Sequence, residues 1–156
     1  MKLIRTTKTR VLFHLGHWEA HLFLEILSLY PCLPPAHQKL SKASPRPDSD
    51  ANQQLLDEAL AEHRAENKKQ LRALLADERR FAPTETGGRL SLPPADVEWV
   101  LQVLNDIRVG SWVRLDSPDE KPVKLNEKTA PHYRAMEIAG YFEAQLLEAL
   151  ERGRET

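Results

Sequence analysis

The sequence has a single cysteine, almost no imbalance between basic and acidic residues, and no long uninterrupted apolar run. Because Cys32 has no second cysteine with which to pair, an internal disulfide framework is excluded, and the chain suits a reducing compartment. The net charge is -1, from 22 basic and 23 acidic residues. A dedicated nucleic-acid-binding protein usually carries a clear basic excess. The composition therefore argues against that class and leaves only a local basic patch to consider.

The N-terminal apolar region is too polar for a signal peptide or a membrane span. Basic residues precede it, as they would in a signal peptide, but no small-residue cleavage site follows it. Histidines and glutamates also interrupt it, at His14, His17, Glu19, His21 and Glu25. We therefore expect no membrane association and a cytoplasmic location.

The sequence also lacks the common signatures of active sites. It contains no Cys-x-x-Cys pair, no glycine-rich phosphate loop and no convincing Ser/His/Asp set. Gly87-Gly88 is interpreted as a turn, because no helix start follows it to hold a phosphate. No cofactor is expected.

The periodicity of apolar residues predicts a mostly α fold in one domain, residues 1–156. We expect four main helices and a small N-terminal β-hairpin, with a possible third short strand beside the hairpin. The expected elements are the hairpin at 2–15, helices at about 17–29 and 51–80, the third strand at 89–92, a central helix from Pro93 or Pro94 to Leu115, and a last helix at about 131–152. Proline-containing, polar segments predict flexible loops at 31–50 and 116–130.

The central helix is apolar on nearly every side, yet it carries polar residues in its middle. Arg108 lies within its broad apolar face, and Glu143 lies on the apolar stripe of the last helix. Since an unpaired buried charge is costly, we predict a buried Arg108–Glu143 ion pair that joins the two helices, with Glu137 as the second choice. The alternative is an anion or carboxylate site built on Arg108. Asp106 is expected to point away from the apolar face that carries Arg108, and Asn105 to flank it; both can bind backbone groups or cap a neighbouring helix. The predicted buried polar residues are Asn105, Asp106, Arg108 and Glu143.

The long helix at 51–80 has a narrow apolar seam with polar residues in the middle. His63 and Asn67 interrupt it, and such residues suit a specific helix register. In a chain of this length, a single core that covers the central helix is expected to leave this seam exposed. An exposed apolar seam on a folded protein is typical of an interface. We therefore predict a homodimer interface at Leu56, Leu60, Leu71 and Leu74.

Two histidines of the first helix have a spacing that is compatible with metal binding. His17 and His21 are one turn apart, as in sites that chelate a transition metal, and Glu25, His14 or His132 could supply a third ligand. No third ligand is fixed by spacing, so solvated surface histidines are the favoured interpretation.

Cys32 follows Pro31 at the start of the first long loop. We interpret it as a half-buried structural thiol. A redox-sensing thiol would need exposure and a basic neighbour, for which His37 is the only nearby candidate.

The central helix carries a motif that resembles a known family. The motif comprises Trp99, the run Leu104–Arg108, Gly110 and Arg114-Leu115. It resembles the core of a bacterial family of helical domains of unknown function that is common in actinobacteria and often encoded beside the protease adaptor ClpS. The last helix departs from the family, because Tyr141-Phe142 stands where members often have a tryptophan. The resemblance implies a mostly helical fold and a regulatory role, with no agreed chemistry.

The observations favour a non-enzymatic protein-interaction or regulatory domain whose partner is another protein or a second copy of the chain. The alternative is a small metal-binding protein or enzyme that uses His17, His21 and nearby acids. A weaker alternative is a nucleic-acid-binding regulator that uses the basic N-terminus, at Lys2, Arg5, Lys8 and Arg10.

Overall fold

A computed structural model describes residues 1–33, 49–116 and 122–155. Most of the first predicted loop and part of the second lie outside these residues. The elements follow in the order β1 (Lys2–Thr6), β2 (Val11–Gly16), α1 (His17–Leu27), α2 (Ser49–Ala76), β3 (Phe81–Thr84), β4 (Gly87–Leu92), α3 (Pro94–Arg114) and α4 (Ala130–Arg154). The mostly α fold, the four helices and the N-terminal hairpin are confirmed.

The strands form one antiparallel sheet in the order β1-β2-β4-β3. Alternate residues of the two central strands point into the core, as expected when one face of a sheet is covered. In the register, Val11 pairs with Leu92, and Phe13 pairs with Leu90. All four of these side chains are buried.

The sheet has four strands, whereas the sequence predicted a hairpin and one possible strand at 89–92. Strand β3 was missed, and β4 was predicted only in part, at 89–92, because Pro83 and Gly87-Gly88 were interpreted as a break and a turn. Pro83 is tolerated because β3 is an edge strand, where a missing N–H leaves no partner unpaired. Gly87 has φ 145°, and a Cβ there would lie 2.0 Å from the carbonyl oxygen of Leu15. Only glycine fits this junction of β2 with β4.

Helix α3 lies at the centre of the helical layer. Its buried residues occur on more than one side, at Val97, Val100, Val103, Leu104, Ile107, Gly110 and Ser111. Helix α4 packs against it through a stripe spaced by three and four residues, which includes Ala139, Phe142 and Leu146. Phe23 of α1 contacts Phe142 edge-on, with ring centroids 5.1 Å apart. These contacts join the helices into the same core cluster as the sheet.

Helix α2 differs from its prediction in where it ends and in which of its leucines are buried. It ends at Ala76 because residues 77–80 form a turn, in which the amide of Arg80 donates to the carbonyl of Asp77 over 2.9 Å. The predicted open seam is wrong for Leu71 and Leu74, which are 6% and 0% exposed because the last turns of α2 pack on the core of the chain itself. Leu56 and Leu60 are half-buried.

Across the described ranges, no helix combines the length and the apolar character that crossing a membrane requires.

Candidate interaction cleft between helices α3 and α4

An open cleft of about 650 Å³ lies between α3 and α4. One turn of each helix forms it, so the lining residues are spaced by one, three or four positions along each chain segment. Gly140 has no side chain, and this leaves room at the floor of the cleft. The lining consists of Arg108, Val109, Trp112, Met136, Glu137, Gly140 and Tyr141.

Arg108 and Glu143 form an ion pair beside this cleft, with Nε 2.8 Å from Oε2. The Arg108 guanidinium also donates to Asn105 Oδ1 over 3.2 Å. The predicted burial of Arg108 is wrong, because its side chain reaches toward the cleft rim and is 48% exposed, whereas that of Glu143 is 12% exposed. Burial raises the pKa of the Glu143 carboxyl above its usual 4.5, and the charge of Arg108 opposes this change.

Tyr141 and Glu137, which also line the cleft, differ in whether they have partners. Tyr141 donates a hydrogen bond to Glu19 Oε2 over 2.7 Å, and Glu19 also pairs with the amino group of Met1. Glu137 is exposed and makes no hydrogen bond or ion pair with the residues that the structure describes. Within the described ranges, Glu137 therefore leaves one negative charge at the rim without a partner.

The other predicted buried polar residues serve a different part of the fold. Asp106 is half-buried, and its Oδ1 accepts hydrogen bonds from the backbone amides of Cys32 and Leu33. Asn105 is exposed and bonds only to Arg108 among the described residues. The predicted burial is therefore wrong for Asn105, whereas Asp106 lies away from the face of Arg108, as expected from its position on α3. Two separate sets exist, because Asp106 lies on the side of α3 that faces residues 30–33 and Arg108 lies on the side that faces α4.

Asn67 lies in the predicted seam of α2, but its hydrogen bonds to other elements were not predicted. Asn67 is 6% exposed, and its Oδ1 accepts a hydrogen bond from the indole of Trp99 over 3.0 Å. Its amide nitrogen donates to the hydroxyl of Tyr30 over 3.0 Å and lies 3.3 Å from Nε2 of His63. The signal in the sequence was a polar residue at a seam position one turn before Leu71, which is buried. These hydrogen bonds of Asn67 hold α2 against α3.

The predicted metal ligands lie on the exposed part of α1. His17 is exposed, and His21, with 69% of its side chain exposed, lies 4.0 Å from Glu25. Glu25 accepts a hydrogen bond from Arg134 over 2.8 Å, so it is engaged with α4. Over residues 1–33, 49–116 and 122–155, no three His, Cys, Asp or Glu side chains are grouped to hold a metal ion. The histidine pair stays a prediction for metal titration to test.

Cys32 is buried, and its thiol donates to the carbonyl of Leu29 over 3.1 Å. Burial, followed by the nearby charge of Asp106, raises the pKa of this thiol to about 11. His37, the suggested basic neighbour, lies outside the described residues.

The basic residues of the N-terminus differ in their surroundings: one is bonded to the sheet and the others are exposed. Arg10 donates to the hydroxyl and the carbonyl of Ser91, both over 2.9 Å, so it joins β2 to β4. Lys2, Arg5 and Lys8 are exposed on β1 and its turn. The exposed basic group is therefore smaller than the sequence suggested.

Comparison with known families gives a match over residues 4–150 to a domain of unknown function, DUF2017. Comparison with curated proteins and with solved structures finds no match. The family match spans nearly the whole sequence, including the hairpin, the sheet and most of the four helices. The chain therefore belongs to the DUF2017 family.

Proposed function

We propose that the chain is a non-enzymatic protein-interaction domain and that the α3–α4 cleft is its binding surface. One observation carries this proposal: an open cleft of about 650 Å³ places apolar side chains beside Glu137, a charge without a partner among the residues that the structure describes. Val109, Trp112 and Met136 are half-buried there, so part of their apolar surface meets solvent. Covering that surface with a partner would release water and favour binding.

The residue types at the cleft support a protein partner. Tryptophan, tyrosine, methionine and arginine are enriched in protein interfaces, and tryptophan, tyrosine and arginine contribute much of the binding energy. The cleft contains one of each, at Arg108, Trp112, Met136 and Tyr141.

A cytoplasmic and regulatory role in a bacterium is part of this proposal. The resemblance of the central-helix motif to a family often encoded beside ClpS supports it. The identity of the neighbouring genes checks this part directly. A neighbourhood without any protease adaptor or regulator would count against it.

Gly140 offers a sharp test of the cleft. A side chain at position 140 would lean toward Met136 and Glu137, one turn earlier. A Cβ there meets only Arg108 Cδ, at an ordinary 3.7 Å. Gly140→Leu should therefore fill the cleft while the helix gains about 0.5–1 kcal/mol from replacing glycine. Gly140→Ala is the matched control, because it adds only a Cβ.

The experiment uses the full chain as bait in the native cell, with wild type and both variants compared by quantitative mass spectrometry. A protein partner should be recovered equally with wild type and Gly140→Ala and at least about tenfold less with Gly140→Leu. Its affinity for the three purified chains should follow the same order. Equal binding to all three, with each variant folded, would refute the cleft as the binding surface.

A second copy of the chain is also a proposed partner, through the first turns of α2. Leu55 is 64% exposed there, and the half-buried Leu56 and Leu60 lie near it on the same helix. Sedimentation at micromolar concentration tests this dimer. We expect a concentration-dependent dimer that Leu55→Glu abolishes and Gly140→Leu leaves intact. A strict monomer at all concentrations would rule it out.

A further inference from the structure

We infer that the α3–α4 cleft binds an arginine side chain of its protein partner. The guanidinium would lie at Glu137, and the aliphatic part would lie on the floor formed by Val109, Trp112 and Met136. This inference rests on the proposed function and adds the chemistry of the partner to it.

The charges of the cleft favour a cation. Arg108 is compensated by Glu143 over 2.8 Å and is also bonded to Asn105. Arg134, one turn before Glu137 on α4, is paired with Glu25 over 2.8 Å. Glu137 has no such partner within the described part of the chain. A positively charged group from outside would therefore find a carboxylate that is free to accept its hydrogen bonds.

The shape and chemistry of the floor favour arginine over lysine. A long basic side chain can lay its methylene groups along apolar surface while its charge stays at the rim. A planar guanidinium can also stack on an aromatic ring and bind a carboxylate with two parallel hydrogen bonds. The cleft offers both features, with Trp112 in its lining and Glu137 at its rim.

The test uses two blocked tripeptides, acetyl-Leu-Arg-Leu-amide and acetyl-Leu-citrulline-Leu-amide. Citrulline has nearly the same shape as arginine but carries no charge, so the pair isolates the contribution of the guanidinium. Binding to the full chain is followed by NMR through the indole N–H of Trp112, which Trp112→Phe assigns. We expect the arginine peptide to shift this signal and to bind about tenfold more tightly than the citrulline peptide.

Two variants show which carboxylate produces the preference for the arginine peptide. Glu137→Gln should remove the preference for arginine, whereas Glu98→Gln, an exposed acid of α3 outside the cleft lining, should retain it. Equal binding of both peptides to the wild type would overturn the inference, as would no shift of the Trp112 signal with either peptide. In both cases the proposed function would still be decided by the Gly140 variants and the natural partner.

Discussion

One carboxylate oxygen of Asp106 accepts hydrogen bonds from two consecutive backbone amides, 2.6 Å from the nitrogen of Cys32 and 3.2 Å from that of Leu33. This contact fastens residues 32 and 33 to α3. Gly110, one turn later on the same helix, allows the close approach, because a Cβ there would lie 2.4 Å from the carbonyl carbon of Cys32. The side of α3 that carries Asp106 and Gly110 is thus covered by residues 32 and 33 of the same chain.

Asp106→Ala should lower the free energy of unfolding by about 2–4 kcal/mol, because it leaves two partly buried amides without an acceptor. Asp106→Asn retains a carbonyl oxygen and should cost less than half as much. Urea unfolding of the three proteins measures both values. A change of less than about 0.5 kcal/mol for Asp106→Ala would show that the contact contributes little.

His63 should carry its proton on Nδ1. The indole of Trp99 can only donate, so it orients Asn67 Oδ1 toward itself and directs the Asn67 amide nitrogen toward Tyr30 and His63. Nε2 of His63 must then accept. Long-range ¹⁵N–¹H NMR spectra of the imidazole identify the tautomer at neutral pH. The preference should weaken in Trp99→Phe, and a dominant Nε2–H form in the wild type would contradict the assignment.

The stability contributed by Glu143 should depend on pH with a defined sign. Its folded-state pKa is raised by burial above 4.5, while the charge of Arg108 opposes the rise. An acid with a raised pKa stabilises the fold below its unfolded pKa and loses that contribution as pH rises through the folded value. The stability of wild type relative to Glu143→Gln should therefore fall as pH increases across this window. Unfolding measured from pH 4 to pH 7 checks it, and a difference that rises with pH would reverse the assignment.

Cys32 should react slowly with thiol reagents in the folded protein. A pKa of about 11, against an ordinary 9.0, reduces the reactive thiolate by about 100-fold near pH 8. Iodoacetamide labelling should therefore be at least about 100-fold slower than in urea. Similar rates in both conditions would show that the thiol is accessible and ionised.

Most of the helical part of the fold could be predicted from the sequence, because α4 has a regular apolar stripe and α3 is a long, largely apolar segment that begins at a proline pair. Strand β3 could not be predicted, since Pro83 and Gly87 usually interrupt strands. Pro83 is tolerated here because β3 is an edge strand, and Gly87 is required because the backbone passes close to Leu15. The Arg108–Glu143 contact followed from two opposed charges on facing stripes. The exposure of Arg108 did not, because a long side chain on an apolar face can still reach solvent.

The cleft itself could not be predicted from the sequence. It depends on the distance between two helices that are separated along the chain, and on Gly140 lining the same space as Trp112 and Val109. Which leucines of α2 are buried and which are exposed also depends on how distant parts of the chain pack together. Leu71 and Leu74 lie on the turns that reach the core, and Leu55 lies several turns away from it.

Site-specific photo-crosslinking in the native cell tests the cleft most directly. A benzophenone amino acid replaces Val109, which lines the cleft, or Glu85, which is exposed in the turn between β3 and β4. We predict a discrete protein adduct from position 109 that disappears when Gly140→Leu is added and that position 85 does not form. No adduct at position 109, or the same adducts from both positions, would contradict a protein-binding role for the α3–α4 cleft.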